Sequence, residues 1–352
     1  MLLTILVFAA ILIVLVLTHE FGHFITAKLC KVKVEEFGIG FPPRIFGIKR
    51  GETVYSINAI PIGGFTKLLG EEDPSTPGSL ASKSIAVRTL VLSAGSLLNI
   101  LLPVLLFTIS FMIPHNVTME KVMIKEVAVE SPAQAAGIQA GDRILKVDQH
   151  TIKNRGDLSY QIQLNLGQEI ALTVQKPDFA EKTVLVQPRW NPPQGQGATG
   201  VMLESADASI VSESMPFWEA VPNGFVHCWE ILVLFRNEVT SWFIRSTAPQ
   251  LAGPIAIAQL TGQVIEAGVS PVLEFAALIS INLGIFNLLP FPGLDGGRLI
   301  FVFLEWIRRG KKISPQKEGL VHMIGFFALI ALILVISYFD VARLISGESL
   351  LP

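Results

Sequence analysis

Four stretches of this 352-residue chain are long and apolar enough to cross a bilayer, and the segments between them differ sharply in character. The first, residues 1–27, reads MLLTILVFAAILIVLVLTHEFGHFITA and carries no charge before Glu20. A helix rises about 1.5 Å per residue, so a run of this length spans roughly 30 Å of hydrocarbon. The second, 88–113, contains Pro103, expected to kink it, and Asn99, an amide that needs a partner at membrane depth. The third covers 271–295 and the fourth 320–340. The pattern predicts a polytopic α-helical membrane protein of four spans.

The intervening segments break from this pattern. Residues 32–67 alternate β-branched and aromatic residues with Gly and Pro, and KRGE at 49–52 predicts a hairpin turn. Its apolarity leaves two readings open: a small soluble hairpin, or a membrane-associated sheet beside the first span whose free edge can pair with an extended substrate. Residues 117–203 are more charged and hold no membrane-length run. VMIKEV, RILKVDQHTI, EIALTVQKP and KTVLVQP predict four strands, with VML at 201–203 closing the sheet. SPAQAAGIQAGDRI predicts a short helix ending at Gly137, and 157–166 a second one. This is a compact α+β domain without catalytic spacing, suited to binding. Residues 204–270 read as a linker of interfacial amphipathic helices, with Trp218, Trp229 and Trp242 set among charges. His150 reads as a surface residue, and His227 reads equally as interfacial filler or as a functional residue.

Composition narrows the class. The chain is 51% hydrophobic and 16% charged, with a mean hydropathy of +0.54. Basic and acidic residues nearly balance at 27 and 29, and no basic patch is interleaved with aromatics, so nucleic-acid binding has no support. Cys30 and Cys228 show no paired spacing. The first span lacks a basic leader and a small-residue cleavage site, and reads as retained.

The chemistry sits in the first span. His19 and His23 of HEFGH are four residues apart, so on a helix both rings project from one face and reach a single ion. Glu20 stands beside them as a general base. Such groups in a membrane-length run are costly unless paired, hydrated or metal-bound. Two ligands do not complete a catalytic zinc site. The third span breaks at NLLPFPGLDGGR, 287–298, and Asp295 within it is the best available third ligand. Charge gives an independent check: nine Lys or Arg lie in 28–88 and six in 298–317. The positive-inside bias puts both loops in the cytoplasm and 117–203 outside, so that HEFGH and Asp295 fall at the same depth. Zinc there would polarise a peptide carbonyl and activate water, with Glu20 taking the proton.

HEFGH, GIGFPPRIF, INAIPIGGF, AGSLLN, SPAQAAGIQAGDRI and NLLPFPGLDGGR together resemble the site-2 protease family of intramembrane zinc metalloproteases, in the bacterial branch of the regulator of sigma-E protease type. The resemblance implies metal binding by His19, His23 and Asp295, catalysis by Glu20, and a hold on substrate or oxyanion by Asn99 and Asn287. It implies a bacterial cytoplasmic (inner) membrane protein with one extracytoplasmic PDZ-like domain that takes a peptide or protein ligand. Its substrate would be a single-pass membrane protein already cut by another protease, an anti-sigma factor, or a remnant signal peptide. Ser96 stands where the family's AG-P-x-x-N pattern has proline, and one PDZ-like unit stands where some members carry two. A catalytically silent PDZ-containing scaffold would be expected to have lost Glu20 or Asp295, and both are present. A metal transporter would show internally repeated spans, and none is evident.

Overall fold

The computed structural model describes residues 2–71, 76–245 and 253–346. In chain order they form α1 (Leu2–Leu29), β1 (Val34–Arg50), β2 (Thr53–Leu68), α2 (Ile85–Met112) and β3 (His115–Val127). Next come α3 (Pro132–Ala135), β4 (Arg143–Val147), β5 (His150–Thr151), α4 (Arg155–Leu164), β6 (Ile170–Gln175), β7 (Glu181–Val186) and β8 (Val201–Glu213). Five helices follow: α5 (Phe217–Arg245), α6 (Pro254–Ala267), α7 (Val269–Leu288), α8 (Asp295–Ile307) and α9 (Pro315–Ser346). They divide into two compact units, Met1–Ser110 with Leu251–Pro352, and Phe111–Gln250.

In the first unit α1, α2, α7 and α9 are each long and apolar enough to cross a membrane, and the protein is a multi-pass helical membrane protein. α2 continues through Pro103 as one helix. α7 stops at Leu288, inside the break expected at 287–298 and short of residue 295. Pro290 and Pro292 cannot donate the backbone hydrogen bonds a continuing helix needs, so 289–294 becomes a loop and Asp295 opens a separate helix, α8. Ile11 and Leu15 of α1 pack on Ala276 of α7, with Leu102 and Leu106 of α2 beside them. Ala27, Val34, Leu68, Val91, Leu92 and Val302 form a second core joining α1, the sheet, α2 and α8. A buried ion pair, Arg88 Nη1 to Glu305 Oε2 at 2.5 Å, also ties α2 to α8.

β1 and β2 meet at the Gly51–Glu52 turn, where KRGE places it, but they build more than a hairpin. Residues 46–50 run antiparallel to 53–57; 54–57 then pair with 36–39 in the same direction, and 34–39 pair antiparallel with 64–68. Each long strand therefore bends back on itself, giving four rows with 64–68 at one edge.

The second unit is built on an antiparallel sheet in the order β7-β6-β4-β3-β8, with β5 on β4. Its core holds Val122, Ile124, Ile144, Leu158, Ile170 and Leu172. The Ser131 hydroxyl accepts from Gln134 N–H to cap α3, and the Asn154 side chain accepts from Asp157 N–H to cap α4. That cap starts α4 two residues earlier than the predicted 157–166. β8 pairs with β3 from Val127↔Val201 to His115↔Glu213, so 204–213 is a strand and not part of a linker. α5 belongs to this unit: Asn237 donates to the carbonyls of Gln163 and Leu164, and Arg245 to that of Trp190. Its Trp218, Trp229 and Phe243 stay exposed.

Candidate metal centre

The HEFGH motif occupies the last turns of α1, and its glycine lets the next helix approach. A Cβ at Gly22 would lie 2.6 Å from the Ala94 carbonyl oxygen, so the α1 and α2 backbones are in direct contact there. On α2, Gly95 lies directly under the histidines: a Cβ there would be 2.5 Å from His23 Nε2 and 2.8 Å from His19 Nε2. Both histidines are buried.

Asp295 reaches them from the other half of the chain. Its Oδ2 lies 2.9 Å from His19 Nε2 and 3.1 Å from His23 Nε2, and the two ring nitrogens are 3.1 Å apart. As the first residue of α8, Asp295 places its carboxylate where the helix leaves backbone N–H groups free, the end that favours negative charge. Gly296 and Gly297 let the incoming loop cross this first turn, because a Cβ on either would overlap the carbonyls of Leu288, Leu289 or Phe291.

These three residues fit a metal. His23 Nδ1–H donates to the Val91 carbonyl at 2.8 Å, which commits the ring proton to Nδ1 and turns the Nε2 lone pair toward Asp295 Oδ2. A lone pair facing a carboxylate oxygen at 3.1 Å is repulsive unless a cation lies between them or the ring is doubly protonated. Two imidazoles and a carboxylate form a donor set of the His₂-carboxylate kind, which leaves a position open.

Beside the triad is a cavity of about 390 Å³, lined by Glu20, His23, Gly64, Phe65, Thr66 and Asp295, among others. Glu20 thus shares a space with two of the three candidate ligands. The Thr66 hydroxyl donates to the Glu20 carbonyl at 2.9 Å and holds the edge row 64–68 against α1. Arg298 lines the same cavity and pairs with Glu71 at 2.7 Å.

The structure therefore brings together His19, Glu20, His23 and Asp295. Asn99 and Asn287 do not line this cavity. Asn99 is fully buried in α2; its carbonyl accepts from the Ser280 hydroxyl, while both side-chain polar atoms lack a protein partner. Asn287 is half-buried in the last turn of α7. Gly22, Gly95 and Thr66 were not legible as site residues; the small-residue run AGS in the second span was the one available signal for close helix approach. His150 is exposed and pairs with Asp157 at 2.8 Å. Of the two readings of His227, the structure shows a bonded one: in the second unit its Nδ1 lies 3.2 Å from both the Tyr160 hydroxyl and Glu230 Oε2.

Comparison with known proteins agrees with this geometry. A Clostridium acetobutylicum protein assigned as a zinc metalloprotease is 36% identical over 329 residues, 93% of this chain and 94% of its own. Zinc metalloprotease RasP of Geobacillus kaustophilus is 28% identical over an alignment 416 positions long, covering 94% of this chain and 95% of that one. Residues 7–332 match Peptidase family M50, a stretch containing both histidines, the intervening glutamate and the distant aspartate. The chain is thus a membrane metalloendopeptidase and belongs to Peptidase family M50.

Proposed function

We propose that the protein hydrolyses a peptide bond in or near the transmembrane segment of a single-pass membrane protein, with zinc held by His19, His23 and Asp295 and with Glu20 as general base. The observation that carries this reading is the convergence of donors from α1 and α8 within 3.1 Å of one another, next to a cavity that Glu20 also lines. Zinc, when bound, supplies a Lewis acid that polarises the scissile carbonyl and makes water a nucleophile near neutral pH. Glu20 takes the proton from the attacking water and returns it to the leaving amine. Gly64, Phe65 and Thr66 line the cavity on the outermost row of the sheet, so an unwound substrate segment can add as a further strand and present its backbone to the site. Asn99 and Asn287 hold the substrate or the oxyanion; the unpartnered buried amide of Asn99 supports this, because such a group is costly until something bonds it.

In this reading residues 117–203, within the unit Phe111–Gln250, are an extracytoplasmic PDZ-like domain that takes a peptide or protein ligand and admits a substrate after another protease has shortened it. Its antiparallel sheet with two capped helices is consistent with that. The nine and six basic residues of 28–88 and 298–317 support a bacterial inner-membrane topology with the site near the cytoplasmic face. An anti-sigma factor and a remnant signal peptide are the two substrate classes to compare.

The test uses full-length protein in lipid nanodiscs with single-pass substrates of both classes. Wild type should bind about one zinc per chain and cut within the span. Glu20→Gln should keep zinc and thermal stability while losing cleavage by about 10²–10⁴-fold. Wild-type cleavage by that variant would refute the mechanism.

A further inference from the structure

We propose that His322 of α9 is a positioning residue for the third metal ligand, acting through the loop that delivers Asp295. The inference rests on the metal-site reading above and deepens it.

The loop 289–294 is held from two sides. On one side it lies on the Gly296–Gly297 turn of α8, where side chains have no room. On the other it meets α9 at Gly325, where a Cβ would overlap the Pro292 carbonyl. Gly293, two residues before Asp295, adopts a φ of 98°, and a Cβ on it would lie 3.0 Å from Phe326 N. Among the described residues, the Gly293 N–H adds a polar bond to this contact, donating to His322 Nδ1 at 3.1 Å.

His322 sits three residues before Gly325, on the same face of α9, and its ring packs against Phe301 of α8 with centroids 5.3 Å apart. One side chain thus reads the position of both the loop and the helix that carry Asp295. Among the described residues of α9 only Gly325 and Asp340 are buried, and Asp340 accepts from Ala256 N–H at the other end of the span. α9 is thus buried against its own unit at two points, and one of them is the loop that delivers Asp295. A partner that orients a metal ligand affects metal affinity about 10–100-fold.

The experiment measures zinc affinity of the full-length protein in nanodiscs by competition with a fluorescent chelator, alongside kcat and KM. His322→Leu removes the acceptor while keeping bulk; His322→Asn keeps a side-chain oxygen near the position of Nδ1. Expected results are zinc binding weakened about tenfold or more in the Leu variant, with kcat reduced and KM little changed, and recovery of most of that loss in the Asn variant. Gly325→Ala, which pushes α9 away from Pro292, should weaken zinc binding in the same direction, whereas Phe327→Leu on the exposed side should not. Wild-type zinc affinity in His322→Leu, or an Asn variant no better than Leu, overturns the proposal. The ligand assignment is tested separately: if Asp295→Ala binds zinc as wild type does, the metal reading itself fails and the inference with it.

Discussion

Replacing Gly95 with alanine adds a single methyl group and should disable the site. The new Cβ would lie 2.5 Å from His23 Nε2 and 2.8 Å from His19 Nε2, against 3.4 Å for the onset of ordinary contact. One donor would have to retreat by about 0.9 Å and the other by about 0.6 Å, whereas metal–ligand distances tolerate about 0.2 Å. Moving the helices apart to make room would forfeit the close α1–α2 backbone packing at Gly22, Ala94 and Gly95. A misplacement approaching 1 Å costs about 100-fold in rate, equivalent to about 2.7 kcal/mol. Overpacking should also lower stability by about 1–3 kcal/mol, less than is needed to unfold most domains. Chelator competition would read the zinc affinity, a single-pass substrate the cleavage, and thermal unfolding the fold, with Leu97→Ala on the exposed face of the same helix as control. A folded Gly95→Ala variant with wild-type zinc affinity and cleavage would show that the histidines do not work in the observed geometry.

Arg88→Met should destabilise the protein by about 3–5 kcal/mol, because it strands Glu305 without its partner in a buried setting. The double variant Arg88→Met, Glu305→Leu should recover most of that in thermal unfolding; a double variant as unstable as the single would contradict the pairing. Removing metal with a chelator should abolish cleavage and adding zinc should restore it; cleavage by demonstrably metal-free protein counts against the mechanism. In the second unit, burial alone would raise the Glu230 carboxyl, but hydrogen bonds from His227 and Tyr160 outweigh it and hold the group below its ordinary value of 4.5. Its stabilisation of α5 is therefore complete above about pH 4.5 and is lost as pH falls through the lowered folded value. Glu230→Gln should lower the melting temperature near neutral pH and flatten its decline below about pH 4.5; an unchanged acid limb would remove Glu230 from that balance.

The donor chemistry was legible because it is local. Two histidines four residues apart declare a shared helix face, and a carboxylate inside a Pro- and Gly-broken run at membrane depth declares an irregular turn. The helix boundary was less so: the apolar run continues past Leu288, and only the prolines mark where α7 ends and the loop to α8 begins. Residues 204–213, ESADASIVSE, did not read as a strand because nearly all of them are exposed, leaving no buried face to impose alternation; the ladder to β3 defines them instead. The sheet near the candidate metal centre shows the same limit. A turn at KRGE predicts its two neighbours, but the same-direction pairing of 36–39 with 54–57 is non-local and leaves no periodic trace. The sequence leaves the role of His227 open because its partner Tyr160 lies 67 residues away.

Glycine contacts explain why the site needs so few polar bonds to assemble. Helices in a bilayer gain little from burying apolar surface against one another, since lipid is equally apolar, so close packing must hold them in register. Here the register is set where side chains are missing: Gly22 against Ala94 and Gly95, Gly296 and Gly297 beneath the loop, and Gly325 against Pro292. Each contact fixes the distance between a ligand-bearing element and its neighbour, and each can be lost by adding one carbon. The histidines, Glu20 and Asp295 specify what chemistry is available, while the glycines specify whether those groups come within reach of one ion. A HExxH helix lacking those approaches would have the ligands without the centre, which is why Gly95→Ala tests the site more sharply than removing a ligand does.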